Sequence, residues 1–322
     1  MELYEKRLSE TVPKVLKKFA DLLETEMTDN KVVIPEKYGK GYCAGYVLNE
    51  NIRLLLLDYE LKEELILEDS DSDGAEKMLL FKFQDIFPKT EKLSAEKSFA
   101  LPTALIATRR AGSHIPVHSN TATVNIEVSA SYLESLLNLS GKTTVLQQLL
   151  QNAQPLVFEQ LVEPALQKIV NEIVTGSTPG ATFELYFLRI KAEELICRLL
   201  MELEKREEHQ LYAMNGNDIR VLYGIKEQIL RHLDIPPVIN ELSSSANMSP
   251  TKLKRLFRQI FGNSIFNYYQ EFRMKEASRL LKDEKLSVSE VGYQLGFTNL
   301  SHFTRLFEKH IGLKPKKYSM VV

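Results

Sequence analysis

The chain is 322 residues long, 44% hydrophobic and 26% charged, with a formal net charge of −2. This is an ordinary globular composition with room for two domains, and it excludes a disordered or collagen-like chain. Two cysteines, Cys43 and Cys197, are too few for a disulfide scaffold or a multi-cysteine zinc site and suit a reducing compartment.

The segment Met1 to Arg7 has no apolar signal core, and aliphatic runs are no longer than Leu54 to Leu57. The expectation is a cytoplasmic protein with no membrane span. The small net charge hides an asymmetry. From Ile219 onward there are 17 Lys and Arg against 9 Asp and Glu, which leaves 24 against 34 before it. One part of the chain can approach a polyanion that the other would repel.

Residues 1 to 28 predict a short helix, with Leu8, Val12, Val15, Leu16, Phe19 and Leu22 at helical spacing. From Lys31 to about Val128 the pattern turns to short β-rich runs: Val32–Ile34, Tyr42–Leu48, Ile52–Asp58, Leu65–Leu67, Met78–Phe83 and Val124–Val128. Turn clusters at Tyr38–Gly41 and Asp69–Gly74 separate them, and the whole predicts an antiparallel sandwich or small barrel. The Asp69–Gly74 cluster has the look of a calcium loop but no Glu at the closing position, so a polar hairpin tip is expected.

Helices resume after Ser129: a short piece at Leu133–Leu137, another at Thr143–Gln151, and one opened by Pro164. The longest spans about 180–210, with an apolar stripe at Leu185, Leu188, Ala192, Leu195 and Leu199. That stripe suits either docking on the β-domain or pairing with a second subunit in a homodimer. Residues 211–218 read as a linker between a domain of residues 1–210 and a helical domain of residues 219–322.

The carboxy-terminal domain contains one helix-turn-helix pattern twice. Arg255 and Arg305, Phe257 and Phe307, and Gly262 and Gly312 pair at one constant offset. In the first copy Asn247 suits a left-handed turn, Ser249 an N-cap and Pro250 the first helical position. Leu253, Leu256, Phe257 and Ile260 then share a buried face, while Thr251, Lys252, Lys254, Arg255 and Arg258 lie on or beside the opposite one. In the second copy Ser287 and Glu290 have capping-box spacing. The helix from Thr298–Asn299 turns Phe303, Leu306 and Phe307 inward and Ser301, His302, Thr304 and Arg305 outward. An apolar stripe opposite a donor-rich face is what reading a major groove requires, and two copies suit a ligand that repeats, as duplex DNA does.

The stretch from about Val238 to Ser319 resembles the double helix-turn-helix domain of AraC/XylS-type bacterial transcription regulators. The resemblance rests on Arg273, Ala277 and Leu280–Leu281, on the run Gly296–Phe307, and on Gly312–Leu313–Lys314–Pro315 with Tyr318. It departs from the family at Ser243, Gly292 and Asn247, which are small or turn-compatible. The resemblance implies an α+β protein: a cupin-like antiparallel barrel or sandwich followed by helices, then an all-α double helix-turn-helix domain. It also implies double-stranded DNA and RNA polymerase as partners, and a small-molecule effector in the amino-terminal domain. Base-reading candidates carried over are Thr251, Lys254 and Arg255, then Leu300, Ser301, His302 and Arg305, with Lys252, Arg258 and Asn299 beside them.

The amino-terminal half offers less. His114 and His118 lack a third ligand and make a poor metal site. Asp58 and Glu60 read as a surface pair, and Arg109–Arg110 as a solvated basic corner. Tyr42, Tyr46 and Phe81 are candidates to line a barrel interior that admits an effector. No catalytic residue, metal or cofactor is expected, and no residue is assigned to the effector. The competing classes are a cupin-type metalloenzyme or an alkyl-transfer protein fused to a DNA-binding module, and a regulator controlled by a protein partner.

Overall fold

The computed structural model describes residues 12–62, 78–86, 101–108, 120–137, 144–175, 180, 182–206, 211–212 and 214–321. The chain divides into two compact units that meet in sequence at Gly216 and Asn217.

The first unit is built on β1 (Lys31–Val33), β2 (Gly39–Asn49), β3 (Ile52–Leu61), β4 (Met78–Gln84), β5 (Thr103–Thr108), β6 (Asn120–Ser129) and β7 (Val157–Leu161). All pairings are antiparallel, in the order β1-β2-β3-β6-β4-β5-β7. Among the described residues these strands make one open antiparallel sheet followed by helices, which leaves the expected cupin-like barrel or sandwich unconfirmed. The physical reason is that β1 and β7, at the two ends of the sheet, do not pair with each other.

One face packs Leu54, Leu56, Leu79, Phe81, Phe83, Val124 and Ile126 against four helices. These are α2 (Ala130–Leu136), α3 (Thr144–Gln151), α4 (Pro164–Val174) and α5 (Glu184–Glu204). On the other face, α1 (Lys14–Leu22) lays Leu16 and Phe19 on Val32, Cys43, Tyr59 and Leu61, at the β1–β3 end. β5 has all six residues buried, so it carries no alternation for a sequence reading to detect. The cluster Tyr38–Gly41 is not purely a turn: Gly39 opens β2. At Gly41, φ is +105° and a Cβ would lie 2.1 Å from the Asp58 carbonyl oxygen, so the close approach of β2 to β3 requires glycine there.

Leu188, Ala192, Leu195 and Leu199 of α5 are buried in the core of the first unit, while Leu185 is exposed. The stripe therefore docks within the subunit. Phe81 lies in the sheet–helix core, Tyr42 and Tyr46 pack against it, and the Tyr46 hydroxyl donates to Glu184 Oε1 at 3.3 Å.

From Gly216 on, the elements among the described residues are all helices: α6 (Gly216–Arg231), α7 (Ile239–Ser245), α8 (Pro250–Phe261), α9 (Ile265–Lys282), α10 (Val288–Gln294), α11 (Leu300–Ile311) and α12 (Pro315–Val321). Lys316 and Lys317 lie in the first turn of this last helix. The features expected at Leu65–Leu67, Asp69–Gly74, Arg109–Arg110, His114 and His118 lie outside the described residues. Among the described residues no helix is long and apolar enough to cross a membrane, and no cluster of three or more His, Cys, Asp or Glu could hold a metal.

Candidate DNA interface

Local chemistry fixes both recognition-type helices. Asn247 turns the chain after α7 at φ +48°, and Met248 N–H donates to the Ser243 carbonyl. The Ser249 hydroxyl accepts from Lys252 N–H at 3.2 Å, Pro250 takes the first turn, and Gly262 ends α8 at φ +72°. In the second copy the capping box closes in both directions, with Ser287 N–H to Glu290 Oε2 at 2.8 Å and Glu290 N–H to Ser287 Oγ at 3.3 Å. Hydrogen bonding to Ser287 holds the Glu290 carboxyl below its ordinary pKa. Asn299 Oδ1 accepts from Ser301 and His302 N–H at 2.9 and 3.1 Å, and Gly312 ends α11 at φ +82°.

The apolar faces are buried as the periodicity requires: Leu253, Leu256, Phe257 and Ile260 in α8, and Phe303 and Phe307 in α11. Thr251, Lys254, Arg255 and Arg258 are exposed together on α8, and Ser301, His302 and Arg305 on α11. Each helix thus presents hydroxyl and cationic donors outward, the pairing that can meet guanine acceptors and phosphates. α8 carries no acid on that face, whereas α11 has exposed Glu308 beside Arg305 and Lys309.

Three candidates have other employment. The Lys252 ammonium is 2.7 Å from Asp218 Oδ1, a carboxylate of α6 that is itself buried. The carbonyl of the Asn299 side chain serves the α11 cap, leaving its amide group to any ligand. Leu300 is half-buried, and a Cβ on Gly292 would stand 2.5 Å from its Cδ2, so this leucine fills the space a larger residue would take.

α9 separates the two copies. It has 18 residues, about 27 Å of helix. The Tyr269 hydroxyl donates to the Leu233 carbonyl at 2.9 Å, and the buried Arg273 guanidinium donates to the Leu295 carbonyl and stacks over Phe297 at 3.7 Å. At the same turn the Asp234 carbonyl oxygen comes so near Gly296 that a Cβ would stand 2.2 Å from it. Neither the Asp218 ion pair, nor Arg273 as a lock, nor this close approach was evident in the sequence. Arg273 stood out in the sequence as a motif residue of the family resemblance and as a cation on a mostly apolar helix face, but neither signal names its partner.

Residues 242–320 match the family model described as a helix-turn-helix domain. The chain is 34% identical over 128 residues to the regulatory protein PchR of Pseudomonas aeruginosa, covering 38% of this chain and 42% of that one. It is 31% identical over 87 residues to the arabinose operon regulatory protein of Salmonella typhimurium, covering 27% and 30%. A solved transcriptional regulator of AraC type from Chromobacterium violaceum is 24% identical, with a TM-score of 0.31 over 33% of this chain and 95% of that one. The chain spans less than half the length of the curated relatives it matches first. Together with the duplicated, capped and outward-basic helices, the family match and the curated relatives place the carboxy-terminal domain of this chain among the AraC/XylS-type double helix-turn-helix DNA-binding domains.

Proposed function

We propose that the chain is a sequence-specific DNA-binding transcription regulator whose domain of residues 219–322 reads two successive major grooves of one duplex. The observation that carries this reading is the pair of capped helices, α8 and α11, each with an apolar face buried and a donor face open. α9 supplies a spacer on the scale of one DNA turn, about 34 Å. The role is non-catalytic, and RNA polymerase is the partner such a regulator would meet. The DNA-contact set is Thr251, Lys252, Lys254, Arg255 and Arg258 with Asn299, Leu300, Ser301, His302 and Arg305. The domain of residues 1–210 senses a small-molecule effector and passes its state through residues 211–218.

The test is selection of the full chain on a random duplex library at moderate salt. Enrichment of a site with two half-sites about one turn apart is the expected result; no enrichment over competitor overturns the reading.

The same reading includes a homodimer through helix α5. Tyr186, Ile190, Cys197 and Met201 share a second face of α5, opposite its buried stripe, and all four are exposed. Their spacing of four, seven and four residues is that of a helix–helix seam. Sedimentation of the full chain should give a dimer that Ile190→Glu converts to a monomer.

A further inference from the structure

The sheet face opposite helices α2–α5 carries a polar row on β6, β4, β5 and β7, beyond the β1–β3 residues that α1 packs on. Strand register sets Asn125, Lys82, Leu105 and Glu159 side by side across β6, β4, β5 and β7. The next row is Thr123, Gln84 and Thr103. Leu105, Ala107 and Val157 make a fully buried apolar floor on the same face.

Within this patch the polar groups are not mutually satisfied. Thr123 is 4% exposed, and neither its Oγ1 nor the buried Oδ1 of Asn125 meets a hydrogen-bonding group. Native folds rarely leave two such oxygens alone on one face, and a site awaiting a ligand is one of the standard reasons. Beside them, burial draws the pKa of the Lys82 ammonium down to about 8, against the pull of Asp85 and Glu159. Such a cation is poorly solvated and gains from a bound anion.

We infer that Asn125, Thr123 and Lys82 form the effector site, and that it takes a small carboxylate bearing a hydroxyl or amino group. The carboxylate sits on Lys82, and the hydroxyl or amino group donates to the Asn125 and Thr123 oxygens. One cation with Asp85 and Glu159 nearby suits a monoanion and disfavours a phosphate dianion. Adjacent positions on paired strands lie about 5 Å apart and diagonal ones about 7–8 Å, which fits a ligand of roughly three to six carbons. This assignment rests on the regulator reading and names the ligand class that reading leaves open.

The test is calorimetric titration of the full chain with glycerate, serine and gluconate. Propionate, glycerol and glycerol 3-phosphate serve as probes lacking the donor, the carboxylate, or replacing it by phosphate. At least one of the first three should bind saturably, at least tenfold tighter than any of the second three. Lys82→Met and Thr123→Val should each weaken that binding about tenfold while leaving the unfolding midpoint within a few degrees. No saturable binding, equal binding of propionate, tighter binding of the phosphate, or binding indifferent to both variants overturns the site. Duplex affinity is measured on the same samples. Loss of sequence preference in the wild type sinks the regulator reading alone, while ligand binding that leaves duplex affinity unchanged sinks the effector role.

Discussion

The guanidinium of Arg273 in α9 donates two hydrogen bonds to the main-chain carbonyl of Leu295, one of them 2.9 Å long, at the turn leading into the second recognition helix. Burial holds its pKa below the ordinary guanidinium value, with Tyr269 and Asp234 pulling it back up. The buried charge is tolerated because the carbonyl and the Phe297 ring take the place of water. Arg273→Met should therefore strand the Leu295 carbonyl and lower the unfolding free energy by about 2–3 kcal/mol. Denaturant titration of the full chain measures this, and an unchanged midpoint would show that the bond holds nothing.

The two recognition helices should contribute unequally. Lys254, Arg255 and Arg258 are exposed on α8 without an acid among them, while Glu308 tempers Arg305 and Lys309 on α11. Arg255→Ala should weaken duplex binding about tenfold and more than Arg305→Ala does. It should also flatten the salt dependence by about 0.9 for each phosphate that is no longer neutralised. Binding isotherms between low and moderate salt decide the ranking, and the reverse order refutes it.

On the proposed reading, Asp218 competes with DNA for Lys252. Their ion pair is 2.7 Å long, with the Lys252 side chain 41% exposed and that of Asp218 9% exposed. Asp218→Asn should release the ammonium and remove a negative charge beside the interface, tightening duplex binding about threefold. The salt slope should steepen by the equivalent of about one more neutralised phosphate. Weaker binding with an intact fold would mean that Asp218 orients Lys252 toward DNA instead.

Glycines at positive φ should differ in cost according to their surroundings. At Gly312, φ is +82° and no atom lies within 4 Å of where a Cβ would stand, so Gly312→Ala should cost only the left-handed strain, about 1–2 kcal/mol. At Gly296, φ is +75° and the Asp234 carbonyl oxygen blocks the Cβ position. Gly296→Ala should cost clearly more than Gly312→Ala, and thermal unfolding of the two variants compares them directly.

The two thiols should behave differently. Cys43 is buried and its pKa is pushed up to about 12 by burial, whereas Cys197 is exposed on α5. A thiol-specific reagent at about pH 8 should modify one cysteine in the native Ile190→Glu monomer, where the α5 seam is open, and both after denaturation. Rapid modification of native Cys43 would instead revive a thiol-based activity.

Much of the interface could be seen in the sequence because its determinants are local. Ser249, Ser287 and Asn299 each cap within three residues, the glycines end helices within one turn, and the apolar stripe of α8 repeats at helical spacing. The sheet was partly hidden. The β-rich runs revealed most of β2, β3 and β4 and half of β6, but β5 is buried on both faces and β7 is a five-residue strand among helices.

What the sequence by itself determined is therefore where each recognition helix begins and ends and which side chains it shows to a partner, since caps and periodicity act over a few residues. The tertiary structure alone decided that β6 inserts between β3 and β4, that Asp218 holds Lys252 across 34 positions, and that Lys82 lies beside Asn125. Those pairings join residues far apart in the chain, and no local energy term distinguishes them from the alternatives until the core has packed.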